Sequence, residues 1–121
     1  MKKKNFIQTI CNLLFSLLLI GCSYKRIEFD SKNGKTNTVK AGDKFRITLT
    51  ENHLQNYYWS LRHNSNKHAV DYLGSVFHGD KLGEVDFNFE ALQAGEAEFS
   101  FILHHYNDST EGKVYKVIVT E

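Results

Sequence analysis

The 121-residue chain contains no proline, one tryptophan, one methionine and two cysteines. Without proline, its edge strands and loops depend on charge or on packing for protection against unwanted pairing. No stretch after residue 21 keeps a helical period, none repeats, and none is of low complexity. The basic residues form no stripe, so nucleic acid is not an expected partner. HExxH and GxSxG are both absent, which removes the commonest zinc-protease and serine-hydrolase signatures. Neither a metal nor a cofactor is implied, and an enzyme is not expected.

The cysteines are explained by the first 22 residues. Met1-Lys2-Lys3-Lys4-Asn5 gives a positive start, and an apolar run follows that ends in Leu19-Ile20-Gly21-Cys22. The run is too short and too early for a stable membrane helix. It resembles a bacterial lipoprotein signal, with residues 1–21 removed and Cys22 taking the lipid. An ordinary secretory signal with Cys22 by coincidence is the alternative. On the lipoprotein reading Cys11 leaves with the signal, and the mature chain has no free thiol, disulfide or cysteine nucleophile. Loss of Lys2, Lys3 and Lys4 takes the fifteen basic residues to twelve against fourteen acidic, moving the formal charge from +1 to −2. The expected location is the bacterial cell envelope, lipid-anchored, facing either periplasm or surface.

Residues 22–37 are expected to be the lipidated N-terminus and a tether or first strand, with the turn-like Asp30–Asn37 at its end. Residues 38–121 are expected to form one domain. There, alternation of period two recurs. Phe45, Ile47 and Leu49 alternate with Arg46, Thr48 and Thr50; Tyr57, Trp59 and Leu61 share a face. Ala69–Phe77 is a weaker strand interrupted by Gly74. Val85, Phe87, Phe89 and Ala91 alternate with Asp86, Asn88 and Glu90, and Ala97, Phe99, Phe101 and Leu103 repeat the pattern before a last strand, Val114–Val119. This predicts an all-β, immunoglobulin-like sandwich of about seven or eight strands. His63–His68, His78–Glu84 and His104–Gly112 are expected to be loops, and the six histidines to be solvated loop or strand-end residues.

Between Thr50 and Tyr57 the linker is odd. It carries an apolar Leu54 where a hairpin normally carries glycine and polar groups. Asn52-His53-Leu54-Gln55-Asn56-Tyr57-Tyr58-Trp59 resembles the first loop of the chagasin-type inhibitors of papain-like cysteine proteases, Asn-Pro-Thr-Thr-Gly-Phe/Tyr-x-Trp. Asn52, Tyr57 and Trp59 match in register, and Asn56 stands at the family's glycine, as the residue next best suited to a left-handed backbone. His53, Leu54 and Gln55 depart from the pattern. Val39–Phe45 resembles the family's Val-x-x-Gly-Asp/Glu lead, and Phe87–Gly95 resembles its Phe-x-Phe/Val-x-Ala-x-x-Ala/Pro-Gly strand and turn. Gly79-Asp80-Lys81-Leu82-Gly83 stands for the second, glycine-rich loop, with Gly83 in register and Gly79 one place out. His104-His105-Tyr106-Asn107 stands where the third has Arg-Pro-Trp.

The resemblance implies a reversible protease inhibitor without cofactor; a monomer is expected, although the sequence itself carries no signal for oligomeric state. The segment 52–56 blocks the target's cleft uncleaved while 79–83 and 104–107 grip its sides, with Tyr57 and Trp59 as supports. Two alternatives stay open: a cell-envelope binding or adhesion module on the same sandwich, and an inhibitor of a non-cysteine protease. The lipoprotein reading makes its own prediction. Cys22→Ala releases the chain from the membrane fraction, and a variant that survives a salt wash in that fraction contradicts lipidation.

Overall fold

The computed structural model describes residues 25–26 and 36–121. The signal peptide, Cys22 and most of the tether lie outside the described residues. The described residues form eight strands: β1 Lys25–Arg26, β2 Thr36–Lys40, β3 Lys44–Asn52, β4 Tyr57–Asn64, β5 Val70–Gly79, β6 Leu82–Ala91, β7 Gly95–His105 and β8 Asp108–Thr120. Among the described residues no α-helix occurs, and the one helical turn is the three-residue 3-10 segment His53–Gln55. The strand order is β2-β8-β7-β4-β3-β6-β5, with β1 beside β3.

That path folds into two layers. β3 and β6 pair along nine positions, whereas β3 and β4 pair only at Asn52–Tyr57. One layer is therefore β2-β8-β7-β4 and the other β1-β3-β6-β5, and their inner faces meet. Phe89 on β6 lies 4.6 Å from Phe99 on β7, and Phe87 lies 4.8 Å from Phe101. The alternating residues that predicted the strands are the ones that fill this core: Phe45, Ile47, Leu49, Val85, Phe87, Phe89, Phe99, Phe101, Val117 and Val119 are all buried. This is the all-β, immunoglobulin-like sandwich that the alternation predicts. Tyr115 is buried beside Phe101, and burial first, then the Glu111 carboxylate, pushes its phenol above its ordinary value.

The differences from expectation lie at strand ends. β5 runs on to Gly79 and β6 starts at Leu82, so the expected loop His78–Glu84 is a tight hairpin turn around Asp80-Lys81. β7 runs to His105 and β8 starts at Asp108, which reduces the expected loop His104–Gly112 to Tyr106-Asn107. β4 continues through His63 to Asn64. Polar residues misled in each case. A solvated strand edge or face accepts histidine, serine and glutamate as readily as a loop does, provided its backbone is paired. Asn64 is buried because its side chain substitutes for ladder hydrogen bonds: its Nδ2 donates to the Val70 carbonyl and its Oδ1 accepts from the Asn66 N–H.

Trp59 stands at the joint between the layers. It is 9% exposed, its indole N–H donates to the Thr50 carbonyl at 3.0 Å, and Lys113 Nζ sits 5.2 Å above its ring. Trp59→Ala removes this packing and is predicted to cost about 3–5 kcal/mol. Denaturant unfolding measures it, and an unchanged midpoint places Trp59 outside the core.

Candidate functional site

Three connections gather at one end of the sandwich. Asn52 at the end of β3 pairs with Leu82 on one side and with Tyr57 on the other, and Tyr57 in turn pairs with His105. The β3–β4 connection therefore lies between the β5–β6 and β7–β8 turns. The sequence-predicted segments 52–57, 79–83 and 104–107 are brought together, with the first at the centre.

The central loop is preset in shape. Asn52 caps the 3-10 turn: its Oδ1 accepts the Gln55 N–H, and its Nδ2 donates to Gln55 Oε1, both at 3.3 Å. Asn56 ends the turn at φ 60°, ψ 41°, the left-handed conformation that asparagine tolerates better than other non-glycine residues. The His53 N–H donates to the Lys81 carbonyl at 2.7 Å and ties the loop to its neighbour. Leu54, at the tip, has no place in the core and is 57% exposed.

Beneath the tip, His53 departs from the solvated role expected for it. Its ring is stacked between Tyr58 and Phe77, at 4.4 and 4.0 Å, and its Nε2 lies 2.9 Å from Glu51 Oε1. The other oxygen of Glu51 accepts the Trp59 backbone N–H. Glu51 is 5% exposed, and this one carboxyl group holds both the start of the loop and the strand that leaves it. Glu51, Tyr58 and Phe77 were missed by sequence reasoning. A signal for Glu51 was present: it continues the parity of Phe45, Ile47 and Leu49, and a carboxyl group at an inward position needs buried partners.

The flanking turns are equally constrained. A Cβ on Gly83 would lie 2.0 Å from the His78 carbonyl oxygen, and one on Gly79, where φ is 135°, would lie 2.5 Å from that of Leu82. Both glycines are required by this close approach, and they face each other across the hairpin. In the third turn Tyr106 adopts φ 54° and is 70% exposed. His105 stacks on Tyr57 at 4.3 Å and 12°, while His104 Nε2 lies 2.7 Å from Ser60 Oγ. The adjacent histidines thus serve opposite sides of β7, as strand geometry requires. Leu54, Leu82 and Tyr106, one from each connection, are the exposed apolar tips of this end. Among the described residues no three His, Cys, Asp or Glu side chains gather into a metal-holding group.

Glu51→Ala leaves the buried Trp59 N–H without its acceptor and frees His53. It is predicted to cost about 1–3 kcal/mol and to speed amide exchange in residues 53–56. Unchanged stability together with unchanged exchange contradicts the anchoring role.

No family model matches the sequence, and no curated protein does. Solved structures do resemble it. The cysteine protease inhibitor EhICP2 from Entamoeba histolytica superposes with a TM-score of 0.63 at 12% identity, over 78% of this chain and 95% of that one. Amebosin superposes with a TM-score of 0.57 at 17% identity, over 81% of this chain and 99% of that one. At such identities the likeness is one of fold, and the chain has the β-sandwich fold of these two proteins.

Proposed function

We propose that the chain is a reversible, non-enzymatic inhibitor of a protease, with a papain-like cysteine protease as the favoured target, and that lipid on Cys22 tethers it to the bacterial envelope. The observation that carries the reading is the central loop: an exposed Leu54 on a turn fixed at both ends, flanked by two further rigid turns. The fold shared with a cysteine protease inhibitor supports it.

The proposed mechanism follows from rigidity. A wedge already held by Asn52, Asn56, Glu51 and the Lys81 carbonyl loses little conformational entropy on entering a cleft. Leu54 fills an apolar subsite at the centre, while Leu82 and Tyr106 cover apolar surface on either side. Shape rather than chemistry blocks the enzyme. The loop resists cleavage because a 3-10 turn, with its backbone bonded internally and to Lys81, does not present the extended strand a protease needs.

Inhibition constants against a papain-like enzyme test this, with a serine and a metalloprotease alongside. Leu54→Asp is predicted to weaken inhibition more than about tenfold with the fold intact, because a carboxylate is desolvated in the subsite. Asn56→Val does comparable damage by resisting positive φ. Lys67→Glu, in the turn at the opposite end, changes little. Wild-type inhibition by both loop variants removes this loop from the mechanism. No inhibition of the papain-like enzyme by wild type overturns the proposed target.

A further inference from the structure

The two layers end in different ways. β2, at one edge, is five residues long and ends in Lys40. β5, at the edge of the other layer, has ten residues, Val70–Gly79, and among the described residues no strand pairs with its outer side. It contains neither lysine, arginine nor proline; Asp71 is its one acidic residue. Three large apolar side chains on it are exposed, Tyr72 at 38%, Leu73 at 42% and Val76 at 50%. A long, nearly uncharged edge of this kind is a template for another strand.

Its sequence specifies which strand. Asp71-Tyr72-Leu73-Gly74-Ser75-Val76-Phe77-His78 reads as an approximate palindrome in chemistry: acid against imidazole, tyrosine against phenylalanine, leucine against valine. In an antiparallel pair about a two-fold axis, opposed residues must lie on the same face of the sheet. Asp71 and His78 are seven residues apart, so in a regular strand they would lie on opposite faces. The bulge between Tyr72 and Gly74 removes this obstacle. Because of it, Asp71, Gly74, Val76 and His78 pair with Glu90, Asn88, Asp86 and Glu84 and share the outer face. Tyr72, Ser75 and Phe77 pair with Phe89, Phe87 and Val85 and share the inner one.

We propose that β5 is a homodimer edge, pairing antiparallel with β5 of a second copy about an axis through Ser75. Asp71 then lies opposite His78 of the second copy, Tyr72 opposite Phe77, and the bulged Leu73-Gly74 opposite Val76, each on matching faces. The outermost pair sets a carboxyl group beside an imidazole, with no like charges opposed. The partner is a second copy because the match is one of this strand with itself. The dimer revises the monomer expected from sequence. Leu54 and Tyr106 lie on the other two connections, whereas Phe77 and Gly79 of β5 belong to the brace under His53 and to the second turn. The pairing is read by cross-linking and not by inhibition, so its failure is distinguishable from failure of the inhibitor reading.

Cysteine cross-linking of the full chain in its membrane tests the proposal. The described residues contain no cysteine, and wild type measures any background from Cys11 and Cys22. Ser75→Cys, a near-isosteric change at an exposed site, sets the new thiol opposite its own copy. Under mild oxidant it is expected to form disulfide-linked dimer more than about tenfold faster than Thr110→Cys, an exposed control on β8, because only opposed residues on paired strands come within disulfide reach. Adding Val76→Lys, which places an ammonium on the edge, is expected to return the rate to that of the control. Equal rates for Ser75→Cys and Thr110→Cys overturn the proposal; they are also the result if residues before Thr36 or another protein cover the edge. An unaltered rate after Val76→Lys overturns it as well.

Discussion

Among the described residues the two layers of this sandwich are joined by strand pairing at one place, Asn52–Tyr57, and one buried carboxyl group secures it. Glu51 reaches back from β3 to the Trp59 N–H on β4 and across to His53 at the start of the central loop. Burying such a group costs several kcal/mol unless its oxygens are satisfied. Here both are satisfied, by partners on either side of the loop. The loop therefore cannot shift without exposing Glu51 to an unpaired state. Trp59 adds its indole bond to Thr50 from the same joint, so core packing and loop geometry are fixed by the same few residues.

From this joint the rest of the end is built outward. His53 lies flat between Tyr58 and Phe77, which carries rigidity from the loop toward β5. Tyr57 and His105 stack on the other side, toward the β7–β8 turn. Five aromatic or imidazole rings thus brace the three connections from below and leave Leu54, Leu82 and Tyr106 to project. Pre-organisation of this kind favours binding by lowering the entropy lost in a complex. It is the physical basis of the proposed inhibitory role.

The strands were legible because one face of each is buried: Phe45-x-Ile47-x-Leu49 and Val85-x-Phe87-x-Phe89 have no other economical reading. Asn56 was legible as a left-handed residue through the resemblance, because it stands at the glycine of that loop pattern, and its φ of 60° agrees. The turns were overestimated in length because His78, Glu84, His104 and Ser109 look like loop residues, although each is paired in a ladder. The brace beneath the loop was harder to see. Tyr58 and Phe77 are nineteen positions apart in sequence and meet only through the ring of His53. Local periodicity carries no information about such a contact. Parity did carry the sign of Glu51, whose acidic side chain occupies an inward position.

The central claim is that this end of the sandwich occupies a protease's catalytic cleft and leaves again uncleaved. The most direct measurement is the rate at which an active-site-directed alkylating probe labels the catalytic thiol of a papain-like enzyme, with and without the chain. Labelling is predicted to slow in proportion to the fraction of enzyme bound, with the chain recovered intact by mass. Labelling at the full rate with the chain in saturating excess, or recovery of a chain cut between Asn52 and Tyr57, contradicts the account.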